Sequence, residues 1–377
     1  MKNKLQQLYD FGQSPWLDYI SRTIIENGHL QQSIDQGIVG VTSNPSIFDQ
    51  AIRSGQAYDK EIQDLLRQGK SNQEIYDYLT IHDIQKTCDL FQSVYQNSGQ
   101  KDGYVSLEVN PNLANDSEKT INEAQRLFHI VNRPNLMIKV PATEEGFPAI
   151  EALIGQGINI NITLIFSREQ YMKTVRSFLN GMEKAHFSGK DISQIASVAS
   201  VFVSRVDGVI DKLLEGKRPL GRESKKNEEI ENLKGRAAIA NCHLIYQEYK
   251  NIFSLNRFQE LAGAGAKIQR VLWGSTSTKN PDYSDIKYVQ ELIARNTVNT
   301  MPEKTISAFL DHGQVENAIP DNPESDEMVL SRLDDLNIMI DEVCHQLLKD
   351  GVKKFTDSFT FLLNAIEQKR HNFSKNE

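Results

Sequence analysis

Eight short strand-like segments recur along the chain, each separated from the next by a longer stretch of helical spacing. They read "WLDYIS" (16–21), "GIVGVTSN" (37–44), "GYVSLEVN" (103–110), "LMIKVPA" (136–142), "ININITLIF" (158–166), "SVASVFVSR" (197–205), "RVLWGST" (270–276) and "RNTVNTM" (295–301). Strands that alternate with helices pair in parallel, because each helix returns the chain to the same end of the sheet. Eight such units predict an α/β fold, a closed (β/α)8 TIM barrel with additional helices, ahead of an open sheet.

The additional helices fall in two insertions and a tail. Residues 51–100 carry helical apolar spacings through Ile75, Leu79 and Ile81 and then Leu90, Phe91 and Val94. Residues 206–262 contain the charged run "EGKRPLGRESKKNEEIENLKGR", which reads as a solvated loop leading into a helix. After the last strand, 303–312 and two longer segments, about 326–349 and 353–370, have helical periodicity, and "HNFSKNE" reads as a loose end. No repeat or linker divides the chain, so a single barrel domain is expected over residues 1–377.

Composition narrows the function classes. With 39% hydrophobic and 24% charged residues, the chain has the makeup of a soluble globular protein. A net charge of −8 argues against nucleic acid as a partner, and an anionic ligand would need a local cluster of cations. Cys88, Cys242 and Cys344 are far apart, the N-terminus lacks an apolar signal core, and no apolar run is long enough to span a membrane. A cytoplasmic protein is expected, without disulfides, metal or cofactor. The sequence is compatible with either a monomer or a homodimer.

The chemistry lies in polar residues at strand ends. In "ININITLIF" the isoleucines suit the helix side, which turns Asn159, Asn161 and Thr163 inward. Barrel interiors are normally filled by branched apolar residues, so inward amides near a strand's C-terminal end point to a site. Asp18, Asn44, Glu108, Lys139, Ser200 and Arg205 repeat the pattern on other strands. Each alone has an ordinary explanation: a capping aspartate, a snorkelling lysine, a surface ion pair. Six strands doing it together argue for a site on the C-terminal face.

Lys139 is the most telling of them, a lone amine in the apolar run "LMIKVP". A free lysine has a pKa of about 10.4, so only about one in 2,500 is neutral at pH 7. Burial beside cations lowers that by roughly three units and makes an amine a nucleophile toward carbonyls. Carboxylates oppose the effect, so Asp18 and Glu108 are expected to act through distance, geometry or water, not by tight pairing.

With these residues assembled, the sequence resembles the transaldolase family, in its longer bacterial form with extra helices. The resemblance rests on "VTSNPSIF" (41–48), "VSLEVNP" (105–111), "LMIKVPAT" (136–143), "NITLIFS" (161–167), "SVFVSRVD" (200–207) and "STSTKNP" (275–281), which follow one another in the family's order. It implies a Schiff-base lysine at Lys139 and an aspartate at Asp18 that takes the proton from the C4 hydroxyl. It implies that Glu108 acts as acid–base through a water held with Thr163. Asn44 and Asn161 match amides that hold a dihydroxyacetone unit, Thr42 and Ser200 match supporting contacts, and Phe202 matches a residue lining the sugar pocket. Arg205 and Ser277 match phosphate contacts. Lys279 stands where shorter members carry arginine, and Ser204 where they carry glycine. The implied partners are sugar phosphates and the implied reaction is a dihydroxyacetone transfer in the pentose phosphate pathway.

Two other readings stay open at this stage. One is an aldolase that releases dihydroxyacetone to water, and the other a barrel that binds sugar phosphates without catalysis. Several features carry no chemistry. Cys242–His243 reads as helix packing, "LAGAGAK" (261–267) as a loop before the seventh strand, and Trp16 and Trp273 as core.

Overall fold

β-Branched and apolar runs bounded by turn residues become the strands, and parallel pairing closes them into a ring. In the computed structural model, which describes residues 2–53, 55–219 and 225–374, the strands are β1 (Gln13–Leu17), β2 (Val41–Thr42), β3 (Val105–Glu108), β4 (Leu136–Pro141), β5 (Ile160–Ile165), β6 (Ser197–Phe202), β7 (Arg270–Gly274) and β8 (Thr297–Met301). They form a closed barrel in sequence order, all neighbours parallel, with β8 pairing back onto β1. The expected α/β barrel is the observed fold.

Outward side chains such as Ile138, Ile160, Ile162 and Val201 enter one large core with the surrounding helices. Inside the barrel, Trp16, Met137, Val198, Leu272 and Val298 form a separate apolar layer. That layer divides a polar set at the N-terminal end from another at the C-terminal end. Gly40 is required here, since a Cβ would lie 2.5 Å from the Trp16 ring.

Several expected boundaries move. The first strand begins at Gln13, three residues before the expected start, and Asp18 lies just past its end. Its polar residues are held inside the fold: the Gln13 amide nitrogen donates to Leu292 O and the Ser14 hydroxyl to Asp102. The sixth strand ends at Phe202, which places Arg205 on the first turn of the helix Ser204–Gly216 instead of on the strand.

The expected tail of two helices split near residue 351 is also revised. Helices run Glu324–Asp335 and Ile340–Ser374, with the break at Asn337, whose left-handed backbone (φ 54°) ends the first. Gly351 continues the second helix because its missing side chain lets the helix approach β5; a Cβ would come 2.9 Å from Leu164. His371–Ser374 extend this helix instead of forming a loose end, and 375–377 lie outside the described residues. "LAG" of "LAGAGAK" completes the helix Asn256–Gly263, leaving a loop only from Ala264.

The insertions are helical, and Lys225–Leu233 forms a helix inside the charged run read from sequence as a loop. Helices Pro45–Arg53, Asp59–Arg67, Asn72–Leu90 and Gln92–Asn97 link β2 to β3, and Ser204–Gly216, Lys225–Leu233, Ala237–Ser254 and Asn256–Gly263 link β6 to β7. Within the charged run of the second insertion, 220–224 lie outside the described residues. His243 packs inside its helix, bonded to Asp326 at 3.0 Å and to Glu291 O. Among the described residues, no helix is long and apolar enough to cross a membrane.

Candidate active site

Parallel register sets the inward residues of β3, β4 and β5 side by side: Glu108 opposite Lys139, and Lys139 opposite Asn161. Alternation then points all three into the barrel just above its apolar layer. Lys139 is 4% exposed, and its Nζ donates to Ser43 O at 2.9 Å and lies 3.3 Å from Glu108 Oε2. The pair is direct, which corrects the expectation that the carboxylates would stand off from the amine. Two buried charges at this depth are each costly alone, and pairing offsets part of that cost.

Both acids are perturbed in the same sense. Burial pushes the Asp18 carboxyl above its ordinary range, against the opposing pull of the Thr42 hydroxyl and the Lys139 and Arg205 charges. Burial likewise raises Glu108, opposed chiefly by Lys139. Each is therefore a better proton acceptor than a surface carboxylate once ionised. Thr42 Oγ1 donates to Asp18 Oδ1 at 2.7 Å and lies 2.7 Å from Thr300 Oγ1. Glu108 Oε2 faces Lys139 Nζ, and Thr163 Oγ1 is buried with no hydrogen-bond partner among the described residues.

A cavity of about 110 Å³ opens over Lys139. Asp18, Thr42, Asn44, Thr163, Ser200 and Phe202 line it together with Arg205 and Ser277. Asn44 caps the helix Pro45–Arg53 through its Oδ1, bonded to Ile47 N at 3.0 Å, which fixes its amide at the rim. Asn161 does not line the cavity. It lies beneath, its Nδ2 donating to Ser106 Oγ and its Oδ1 accepting from Ser200 Oγ at 2.6 Å, so it sets the orientation of Ser200. Asn159 sits lower still, at the N-terminal end of β5, where its side chain ties Pro134 O, Leu136 O and Ala196 N together.

The mouth is shaped by two irregularities. The β5–β6 register shifts between Ile162 and Ile165, and within that bulge Leu164 takes φ 60°, a costly angle for a non-glycine residue. Leu164 also meets Gly351, so the bulge gives the C-terminal helix its seat. One turn on, Phe355 lines the cavity with its ring 6.0 Å from Lys139 Nζ.

Arg205 stacks on Phe202 at 5.1 Å and borders a second, adjoining cavity of about 540 Å³. Lys279 lines that second cavity and not the first. Burial lowers the Arg205 pKa, with Asp18 and Glu108 working in the other direction. Lys279 and Lys354 keep much of their length in solvent. Even so, desolvation around their amines and the Arg205 charge push both below the usual lysine range. Three cations thus share one edge of the mouth. Ser204, standing in the place of a glycine, opens its helix without distortion: its N–H donates to Ser275 O at 3.1 Å.

Of the candidate residues read from sequence, Asp18, Thr42, Asn44, Lys139, Thr163, Ser200, Phe202, Arg205 and Ser277 meet at one cavity. Glu108 and Asn161 support it from below, and Lys279 flanks it. Sequence reasoning missed Ser43, Thr300, Lys354 and Phe355. Ser43 and Thr300 sit in polar strand ends already singled out, so the same rule finds them. Lys354 and Phe355 follow an ordinary helical pattern and carry no local signal.

Fold and site define a (β/α)8 barrel with a lysine-centred pocket at its C-terminal mouth, a layout suited to carbonyl chemistry through an amine. The chain belongs to the transaldolase/fructose-6-phosphate aldolase family, whose model matches residues 15–366. It is 46% identical to a transaldolase of Trichodesmium erythraeum over 370 residues, 97% of each chain. It is also 46% identical to transaldolase 2 of a Nostoc species and to transaldolase 2 of Streptomyces coelicolor, again over 97% of both chains.

Proposed function

We propose that this chain transfers a dihydroxyacetone unit from a ketose phosphate, sedoheptulose 7-phosphate or fructose 6-phosphate, to an aldose phosphate, glyceraldehyde 3-phosphate or erythrose 4-phosphate. The observation that carries the reading is the buried Lys139 amine, 3.3 Å from Glu108 and open to a cavity that Asp18 also lines.

Glu108 takes the proton that frees the amine for attack on the C2 ketone. The carbinolamine loses water as Glu108 returns a proton through a water held with Thr163, whose hydroxyl has no partner among the described residues. The iminium is an electron sink, so C3–C4 breaks when Asp18 removes the C4 hydroxyl proton, and an aldose phosphate departs. The three-carbon enamine stays on Lys139, held by Asn44 and by the spare N–H of Asn161, with Thr42 and Ser200 in support. The acceptor aldehyde then takes it, and hydrolysis of the iminium restores the amine.

Arg205, Ser277 and Lys279 receive the substrate phosphate in this reading, and Phe202 both lines the pocket and backs Arg205. The whole chain acts as one domain, a cytoplasmic transferase of ketone groups in the non-oxidative pentose phosphate pathway and carbohydrate metabolism. A coupled assay tests it: sedoheptulose 7-phosphate plus glyceraldehyde 3-phosphate should yield erythrose 4-phosphate and fructose 6-phosphate. If fructose 6-phosphate alone releases free dihydroxyacetone as fast as it reacts with an acceptor present, the chain is an aldolase instead. Borohydride with fructose 6-phosphate should leave an adduct on Lys139; unmodified protein would exclude the covalent route.

A further inference from the structure

A separate cavity lies at the end of the barrel opposite Lys139. About 330 Å³ of space opens at the opposite, N-terminal mouth, within the range of small-molecule sites (roughly 300–1,000 Å³). Its floor is Met137 and Val198 of the interior apolar layer, and Tyr104 forms a wall. Three cations, Lys101, Lys267 and Arg270, line it.

The three are not equivalent. Arg270 is 6% exposed and bound to Asp102 at 3.0 Å, with Ser14 Oγ and Lys101 O accepting its other N–H groups. Its fork is occupied. Lys267 Nζ donates only to the neutral Gln100 side chain, at 2.9 Å, and among the described residues no carboxylate lies within ion-pair distance of either Lys101 or Lys267. Burial lowers the pKa of both amines and Arg270 adds to the effect on Lys101, while the charges of Asp102 and Asp191 oppose it at Lys101 and Lys267 respectively. Lys101 and Lys267 therefore face an amphipathic hollow as a local pair of ammonium groups, the cluster an anion needs against a net charge of −8.

We propose that this cavity binds a small phosphate monoester, its phosphate between Lys101 and Lys267 and its body against Tyr104 and the Met137–Val198 floor. The charge count favours a dianion. With the Arg270 fork taken by Asp102, two point-charge donors remain, which suit a tetrahedral phosphate better than a planar carboxylate. The site lies across the apolar layer from Lys139 and does not depend on the reaction assigned there.

The probe is glycerol 3-phosphate, titrated calorimetrically into the full chain carrying Arg205→Ala, so that the cations of the catalytic mouth are weakened. One equivalent is expected to bind, and adding Lys101→Ala and Lys267→Ala should weaken it about tenfold or more. In the unsubstituted chain, the same probe should protect Lys101 and Lys267 severalfold from acetylation while the exposed Lys217 reacts unchanged, a measurement that needs no variant to fold. Absence of binding at millimolar probe, undiminished binding in the triple variant, or unprotected lysines would each overturn the site. Succinate binding as tightly as glycerol 3-phosphate would overturn the phosphate assignment. Dihydroxyacetone transfer by Lys101→Ala/Lys267→Ala without probe should equal that of the unsubstituted chain.

Discussion

Each end of this barrel buries an ion pair, and the two pairs are built on opposite terms. At the N-terminal end, Arg270 meets Asp102, and every oxygen of that carboxylate is matched: Ser14 donates to Oδ2, Trp16 and Arg270 to Oδ1. At the C-terminal end, Lys139 meets Glu108 at 3.3 Å, Thr163 Oγ1 in the same cavity has no hydrogen-bond partner among the described residues, and Asp18 is raised by burial. The first pair is saturated and the second is held short of its needs. A buried polar group left unmatched costs about 1–3 kcal/mol, so such groups persist where a substrate is to supply the missing partner.

That contrast is open to attack at both ends. Lys139→Ala should bring the largest effect: dihydroxyacetone transfer falls to background, because among the described residues no other amine lines the cavity to form the imine, while circular dichroism keeps the native helical signal. Transfer surviving in that variant would end the covalent assignment. Next, Asp18→Asn should lower kcat by about 10²–10⁴ while leaving imine trapping by borohydride nearly unchanged. Equal slowing of both steps would remove Asp18 from the base role.

The same substitution has a consequence for stability. Folding raises the Asp18 carboxyl above its unfolded value, so its contribution is full below the unfolded pKa and is lost as pH rises through the folded one. At neutral pH the ionised group is a burden on the fold. Asp18→Asn should therefore unfold at higher urea than the parent at pH 7, with the difference shrinking toward pH 4.

At the saturated end the sign reverses. Arg270→Ala leaves Asp102 buried without its cation and should cost about 3–5 kcal/mol in urea unfolding, with kcat of the folded protein little changed. A large kcat loss there would mean that the two ends are coupled through the Met137–Val198 layer.

How far these ends could be read from sequence follows the same division. The barrel was legible because alternation and parallel pairing are local, repeated signals, and the inward polar residues of β3 to β6 follow from period-two geometry. Two kinds of residue were not. Gln13, Ser14, Asp102 and Arg270 look like solvated polar residues until the fold brings 14, 102 and 270 together. Phe355 reaches the site only because Gly351 and the Leu164 bulge let a helix dock from more than 150 residues away in the chain. The close Lys139–Glu108 approach was also missed, since pairing distance depends on register and not on residue type.

A finer probe of the unsaturated end is Thr42, whose hydroxyl hydrogen bond favours the ionised form of Asp18. Thr42→Val removes that bond with little change of shape, so the Asp18 pKa rises further. If Asp18 is the base, the acidic limb of kcat should move to higher pH. A limb that stays in place would mean that another group controls it.

The smallest effect should come from Lys354, on the exposed side of the helix that carries Phe355. Its amine senses Arg205, as does that of Lys279, so the three cations form one edge of positive potential. Lys354 keeps a solvated side chain, which limits its share to about 1 kcal/mol. Lys354→Ala should therefore raise KM for fructose 6-phosphate about fivefold without lowering kcat, and added salt should narrow the gap. Unphosphorylated fructose should show no such change, because the lysine acts on the phosphate and on nothing nearer the reacting carbons. A fall in kcat with KM unchanged would instead assign Lys354 to seating the helix, and the phosphate edge would then rest on Arg205 and Lys279.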